Sequence, residues 1–235
     1  AHLLHEDGLR PARNKGGGAS CLPEIELGTF TKSQSKVQKL QKALTELKKM
    51  PYHYISIPNL SSSSFDEIVF KIKRWIKNYV GLLGGKAKDC LVILDYLKLT
   101  DISLLRDARE YQVLGYYMTT LHNMATKYNF PILVFVQLNR DGISEEETSV
   151  VAGSDRIIWL CSNFSIYRRK TIEEIAEQPV QFRNYNMKLI NLISRHGPGM
   201  NAGDFLNIYF NSQICKIYPG KLNSQMNLDE QYPEF

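Results

Sequence analysis

Two continuous apolar runs constrain the fold of this chain more than any other feature: CLVIL at residues 90–94 and PILVFVQ at 131–137. Strands with one face in water alternate apolar and polar side chains, whereas strands buried on both faces of a parallel sheet are apolar throughout. Between the two runs, residues from about 109 to 128 carry apolar side chains at helical spacing. The order strand, helix, strand predicts two parallel strands joined by a right-handed crossover.

Other segments carry their own helix and strand patterns. Residues 33–49 are apolar at helical spacing, and YHYISI at 52–57 is rich in aromatic and β-branched residues, which predicts a strand. Ser64 and Glu67 match a capping box, and the apolar face behind them predicts a long helix that ends near Gly84. Further strands are predicted at residues 156–160, 187–194, 204–210 and 213–218.

The order of these elements predicts an α/β fold, with a mostly parallel sheet flanked by helices and antiparallel strands added at its C-terminal side. The last two strands are expected to form a hairpin through Asn211 and Ser212. Residues 1–32 contain the Pro- and Gly-rich stretch PARNKGGGAS and are predicted to be irregular. We therefore expect a core at residues 33–220 and a tail at residues 221–235.

Composition excludes several classes of protein. No run of about 18 apolar residues predicts a transmembrane helix, and the N-terminus lacks the apolar segment of a signal peptide, so a cytoplasmic protein is expected. The four cysteines are widely spaced without a CxxC pair, which argues against a zinc site. The net charge of +5 is compatible with nucleic-acid binding but does not establish it.

Polar side chains follow the two apolar runs directly. Asp95 follows the first run, where a carboxylate can hold Mg²⁺ beside nucleotide phosphates; alternatively it only forms a turn or caps a helix. Gln137 ends the second run, where an amide can contact a γ-phosphate; alternatively it only bonds the backbone. Asn139 and Arg140 come next. Because parallel strands end at one edge of a sheet, these residues predict a ligand site there.

Arg195 follows the predicted strand at 187–194, in the sequence ISRHGPGM. A guanidinium at a strand end, before the turn Gly197-Pro198-Gly199, suits insertion into the phosphate site of a neighbouring subunit. The alternative is an exposed turn arginine, and His196 beside it is expected to be a solvated turn histidine. The chain contains no G-x-x-x-x-G-K-[ST] motif, so no phosphate-binding loop is found in these 235 residues.

The motifs ILDYLKL, NFPILVFVQLNR and ISRHGPG, in this order, resemble the RecA-like ATPase domain of DnaB-type replicative helicases, including phage ones. The similarity runs from roughly Glu6 to Tyr218. The resemblance implies a RecA-like fold, with residues 1–32 continuing an ATPase core whose phosphate-binding loop precedes this segment. It also implies an ATP-dependent helicase that forms a ring, expected to be a hexamer, on single-stranded DNA in a bacterial or phage-infected cell.

The resemblance implies particular roles for the candidate residues. Asp95 would be the Walker B aspartate that organises Mg²⁺ around ATP, and Gln137 would sense the γ-phosphate. Arg195 would be an arginine finger, which completes the nucleotide site of the adjacent subunit. Asn139 and Arg140 would contact DNA, close to the channel loop expected at 141–152. A primase or a helicase loader would be a partner.

Two departures from the family pattern leave an alternative open. Ile193 stands where relatives carry a basic residue, and the stretch GISEEETSVV is acidic. The alternative is a non-catalytic RecA-like module that acts in assembly or nucleic-acid binding without ATPase activity.

Overall fold

The computed structural model describes residues 22–56, 65–97, 110–136, 146 and 155–226 of the chain. It divides into two compact units, each built from separate stretches of sequence. The first unit comprises Ala1–Ile55, Tyr167–Leu189 and Gly203–Phe235, and the second comprises Ser56–Ile166 and Ile190–Ala202. The candidate residues Asp95 and Arg195 both belong to the second unit.

The described residues form six labelled α-helices and eight strands. The helices are α1 (Leu22–Glu26), α2 (Gln34–Lys49), α3 (Phe65–Trp75), α4 (Glu110–Tyr128), α5 (Asp155–Leu160) and α6 (Ile172–Ala176). The strands are β1 (Leu82–Leu83), β2 (Lys86–Ala87), β3 (Val92–Leu94), β4 (Ile132–Val134), β5 (Asn163–Arg169), β6 (Met187–Ser194), β7 (Leu206–Asn211) and β8 (Lys216–Leu222). Short 3-10 turns cover Thr29–Lys32 and Val180–Phe182, and residues 223–226 are helical.

Three sheets are present in the described part of the chain. β1 and β2 form a small antiparallel pair, and β3 and β4 form a parallel pair. The third sheet has the order β5-β6-β7-β8, in which β7 is antiparallel to both of its neighbours. Parallel strands joined through a helix, followed by antiparallel strands, give the α/β fold that the sequence predicts.

Several predictions from periodicity are confirmed. Helix α2 begins one residue after its N-cap Ser33 and ends at Lys49. The strand predicted at 187–194 is β6, with the same bounds. The predicted hairpin is the antiparallel pair β7–β8, although its turn extends beyond Ser212 to Cys215, whose φ of 49° is left-handed. On α4, the predicted inner face is buried, namely Leu114, Tyr117, Met118, Leu121 and Met124.

Two strand predictions are wrong. Residues 52–56 of YHYISI form no strand and are exposed. Strand-forming residue types are not sufficient, because a strand also depends on its packing against neighbours. Residues 156–160 are helical and belong to α5, whereas the strand follows at β5. A short apolar run is compatible with either a buried strand or a turn of helix.

Three further expectations need correction. β3 is not buried on both faces, because Val92 is 8% exposed and Ile93 is 53% exposed. The helical path of α3 ends in a π-helical turn at Ile76–Val80, before Gly81 with its φ of 86°, and not near Gly84. In the segment 1–32, expected to be irregular, the described part is largely helical. The proposed capping Ser64 lies outside the described residues.

The core of the second unit includes the buried faces of α3 and α4. Phe65 at the start of α3 stacks on Tyr117 of α4, with ring centroids 3.9 Å apart. Val69, Ile72 and Ile76 continue the buried stripe of the α3 segment at intervals of three or four residues. The crossover between β3 and β4 therefore ends in a helix that is fixed by an apolar interface.

The first unit contains a partly buried ion-pair cluster around Glu174 of α6. Both carboxylate oxygens of Glu174 accept hydrogen bonds from Arg168, at 2.7 and 2.9 Å, and one also accepts from Lys188. Thr171 and Glu174 form a capping box at the start of α6. Burial raises the pKa of Glu174, but these hydrogen bonds and the Lys188 charge outweigh that effect and lower the pKa to about 2.

We predict that Glu174→Gln reduces the pH dependence of stability. The pKa of Glu174 in the folded state is below its ordinary value of 4.5, so its stabilising contribution is present above that value and is lost as the pH falls towards 2. Glutamine retains the capping function but not the charge. Urea unfolding between pH 6 and about pH 3 measures the effect, with the exposed Glu177→Gln as the control. Equal pH dependence in the two variants would contradict the prediction.

Candidate functional site

Asp95 lies immediately after β3 and is exposed. β3 pairs with β4 in parallel, with Leu94 opposite Val134. Two backbone hydrogen bonds continue the pairing beyond the strands: Phe135 N–H donates to the Leu94 carbonyl at 3.0 Å, and Leu97 N–H donates to the Phe135 carbonyl at 2.8 Å. Asp95 therefore lies between Leu94 and Leu97, whose backbones are both hydrogen-bonded to Phe135. This position is at the carboxyl edge of a parallel pair, as the sequence predicts.

Gln137, Asn139 and Arg140 lie outside the described residues. The structure describes β4 and the next two residues, up to Val136. The expectation that Gln137 shares the sheet edge with Asp95 therefore stays a prediction.

The chemistry of Asp95 fits Mg²⁺ held together with a nucleotide. Among the described residues, no group of three or more His, Cys, Asp or Glu side chains gathers to hold a metal. Mg²⁺ does not need such a cage, because it keeps several water ligands and is usually held by one or two carboxylates and by substrate phosphates. An exposed carboxylate at the end of a parallel strand meets this requirement.

Arg195 follows β6 directly and is bound to the C-terminal turn of α5. Its Nε–H donates to the Cys161 carbonyl at 2.9 Å, and its Nη2 donates to the carbonyls of Ile158 and Trp159, both at 3.2 Å. Its backbone N–H also donates to the Ser162 carbonyl at 2.9 Å. The last carbonyls of a helix have no donor partner within the helix, so Arg195 satisfies groups that otherwise need water.

The electrostatics of this contact are favourable. The C-terminal end of a helix carries a partial negative charge, which attracts a guanidinium. Burial raises the pKa of the Cys161 thiol, and the nearby charge of Arg195 opposes that rise. His196, the next residue, is exposed, as expected for a turn histidine.

The acceptors of Arg195 were not predicted from the sequence. They are backbone carbonyls, which every residue type supplies, and they come from a segment predicted as a strand. A pattern that locates the strand lies just after this segment in the sequence. Phe164 and Ile166 are buried and alternate with polar or exposed residues along β5. That period of two places the strand at β5, which leaves residues 155–160 free to be helical.

Comparison with known proteins gives one family. Residues 21–151, more than half of the chain, match the profile of the DnaB-like helicase C terminal domain. A protein of Trieres chinensis, described as "Probable replicative DNA helicase", is 30% identical over 105 residues. That match covers 44% of this chain and 20% of the relative, so the chain spans about a fifth of the length of this relative.

Two solved structures share the fold. One is an ATPase domain, which superimposes with a TM-score of 0.66 at 15% identity, over 86% of this chain and 66% of that one. The other is a DnaB-like replicative helicase, solved to describe its interactions with primase, which gives a TM-score of 0.61 at 14% identity, over 81% of this chain and 42% of that one. At these identities, the likeness is one of RecA-like fold.

We predict that Arg195→Ala lowers the free energy of unfolding by about 1 kcal/mol, because the variant loses three charge-assisted hydrogen bonds to the end of α5. Urea denaturation measures the change. Arg169→Ala is the control, since Arg169 is exposed and has no side-chain hydrogen bond to a described residue. If both variants unfold at the same urea concentration, the α5 contact contributes nothing to stability.

Proposed function

The chain belongs to the DnaB-like helicase C terminal domain family, and from this premise we propose that it is part of an ATP-dependent replicative helicase that moves along single-stranded DNA as a ring. ATP hydrolysis between subunits would drive the movement. Asp95 would organise Mg²⁺, Gln137 would sense the γ-phosphate, and Arg195 would act on the nucleotide of the adjacent subunit.

One observation carries the proposal: an exposed aspartate stands at the carboxyl edge of a parallel strand pair. Ligands of open α/β sheets bind at this edge. The position has the exposure and the carboxylate that a Mg²⁺–ATP complex requires, and neighbouring backbone bonds fix it. Mg²⁺, when bound with ATP, would neutralise charge that develops on the phosphates. Asp95 itself would accept hydrogen bonds from the metal's water ligands and hold them in place.

DNA contact is proposed for Asn139 and Arg140, which follow Gln137 in the sequence. Gln137 would contact the γ-phosphate, and Asn139 and Arg140 would contact DNA. The two ligands would then be coupled through only a few residues of the chain. The chain's net charge of +5 is compatible with this role.

Partners and location follow from the same premise. The DnaB-like helicase of similar fold interacts with primase, and we propose a primase or a loader as a partner here too. We place the protein in the cytoplasm of a bacterial or phage-infected cell. None of the helices in the described ranges has the length and apolar character needed to cross a membrane.

A second candidate is a RecA-like assembly or nucleic-acid-binding module without ATPase activity. Ile193, which stands two residues before Arg195 where relatives carry a basic residue, favours it. The gene sequence upstream of the Ala1 codon separates the two candidates: a G-x-x-x-x-G-K-[ST] motif in frame supports the helicase, and a start codon at this point supports the module.

We predict that Asp95→Asn and Arg195→Ala each abolish DNA-stimulated ATP hydrolysis by the full-length gene product, and that mixing the two variants restores part of it. If Arg195 acts on a neighbour, roughly one interface in four of a random one-to-one ring pairs an intact Asp95 with an intact Arg195. Phosphate release measures turnover, and fluorescent-ATP titration checks that Arg195→Ala still binds nucleotide.

The outcomes of this mixing experiment are distinct. Recovery to about a quarter of the parental rate supports a site shared between subunits. No recovery, with each variant forming rings, would place Arg195 on its own subunit's nucleotide. Normal hydrolysis by the Arg195→Ala ring would remove Arg195 from the site altogether.

We predict that Arg140→Ala weakens binding of single-stranded DNA and lowers the slope of log affinity against log salt by about 0.7, the value for one lost phosphate contact. Fluorescence anisotropy with a labelled oligonucleotide at several salt concentrations measures both. Arg169→Ala serves as the control for loss of one positive charge. An equal change in the two variants would mean that Arg140 acts only through net charge.

A further inference from the structure

We propose that the C-terminal turn of α5 is the positioning element for Arg195. The proposal rests on the proposed function of Arg195 as a residue that acts on nucleotide, and it adds the part of the chain that holds the guanidinium in place. It concerns only the second unit, which contains both α5 and Arg195.

The contact fixes the guanidinium in position and orientation. An arginine side chain has five N–H donors in one plane. Nε–H donates to the Cys161 carbonyl, and Nη2 donates to the carbonyls of Ile158 and Trp159. Three acceptors fix both the position and the orientation of the guanidinium plane. The hydrogen bond from the Arg195 backbone N–H to the Ser162 carbonyl fixes the backbone from which the side chain extends.

The same contact leaves the Nη1 nitrogen of the guanidinium available. The two N–H groups of Nη1 have no acceptor among the residues that the structure describes, and Arg195 is exposed. A charged N–H group of Nη1 can donate a charge-assisted hydrogen bond to a phosphate oxygen. An unheld arginine would lose side-chain entropy on meeting a phosphate, whereas one already held by α5 has lost most of it beforehand.

Helix α5 is itself anchored in the second unit. Ile157 is 3% exposed, and its carbonyl accepts a hydrogen bond from the Cys161 N–H at 3.1 Å. Helix α5 packs against α4. The acceptors of Arg195 are therefore carried by a helix end that cannot move independently of the unit's core.

The test is a matched pair at Trp159, whose side chain is 68% exposed. Trp159→Pro removes the backbone N–H at this position, clashes with the preceding turn, and disfavours helical geometry at Ile158. It should displace the acceptor carbonyls without removing a buried side chain. Trp159→Ala removes the same exposed ring but keeps the helix.

For the full-length gene product we expect Trp159→Pro to lower the DNA-stimulated kcat by about 100-fold, the order expected for a displacement of about 1 Å at a reacting centre. The KM for ATP should stay within about twofold of the parental value, because a finger that acts in the transition state leaves ground-state binding unchanged. Trp159→Ala should match the parent in both constants. Equal kcat values for the two variants would overturn the proposal.

A second measurement does not depend on any variant. In the unaltered chain, NMR should show slower hydrogen exchange at the Nε–H of Arg195 than at that of Arg169, which has no described acceptor. Equally fast exchange would overturn the proposal even if Trp159→Pro failed to fold. If exchange is slow but Arg195→Ala rings hydrolyse ATP normally, the holding contact stands and the nucleotide role of Arg195 fails.

Discussion

The parallel hydrogen bonding between β3 and β4 is the constraint on which the candidate site depends. With Val92 opposite Ile132 and Leu94 opposite Val134, the two strands end together, and Asp95 and Phe135, which follow them, lie at one edge. Antiparallel pairing would have put the residues after the two strands at opposite ends. A parallel pair requires a long crossover, which here includes α4. Asp95 owes its position to this register and to no side-chain partner that the structure describes.

The sequence predicted the elements whose patterns are long and whose partners are close. The 19 residues of α4 repeat their apolar spacing over several turns, and β6 appears with the expected bounds. The failures are short segments. YHYISI has strand-forming residues, but pairing with another strand is a tertiary matter that composition does not encode. The run at 156–160 is too short for its periodicity to separate a strand from one and a half turns of helix.

Asp95 could be predicted from the sequence, whereas the groups that bind Arg195 could not, and the difference has a physical reason. Asp95 is marked in the sequence because a carboxylate after an apolar run is chemically conspicuous. The acceptors of Arg195 carry no such mark, because carbonyl groups belong to every residue. The sequence therefore identified Arg195 as a cation at a strand end but could not say what holds it. Its exposure agrees with the simpler alternative of a turn arginine, and its three hydrogen bonds distinguish it from a solvated one.

The connections along the chain relate the two candidate residues to the segment proposed to contact DNA. β4 pairs with the strand that precedes Asp95, and the chain leaves it towards Gln137, Asn139 and Arg140. The same segment enters α5, whose last carbonyls hold Arg195. Residues 137–154 are thus covalently joined at one end to the strand beside the candidate metal-binding aspartate and at the other to the helix that positions the arginine. Under the proposed function, a DNA strand bound by this segment would be linked through the chain to both the strand before Asp95 and the helix that contacts Arg195.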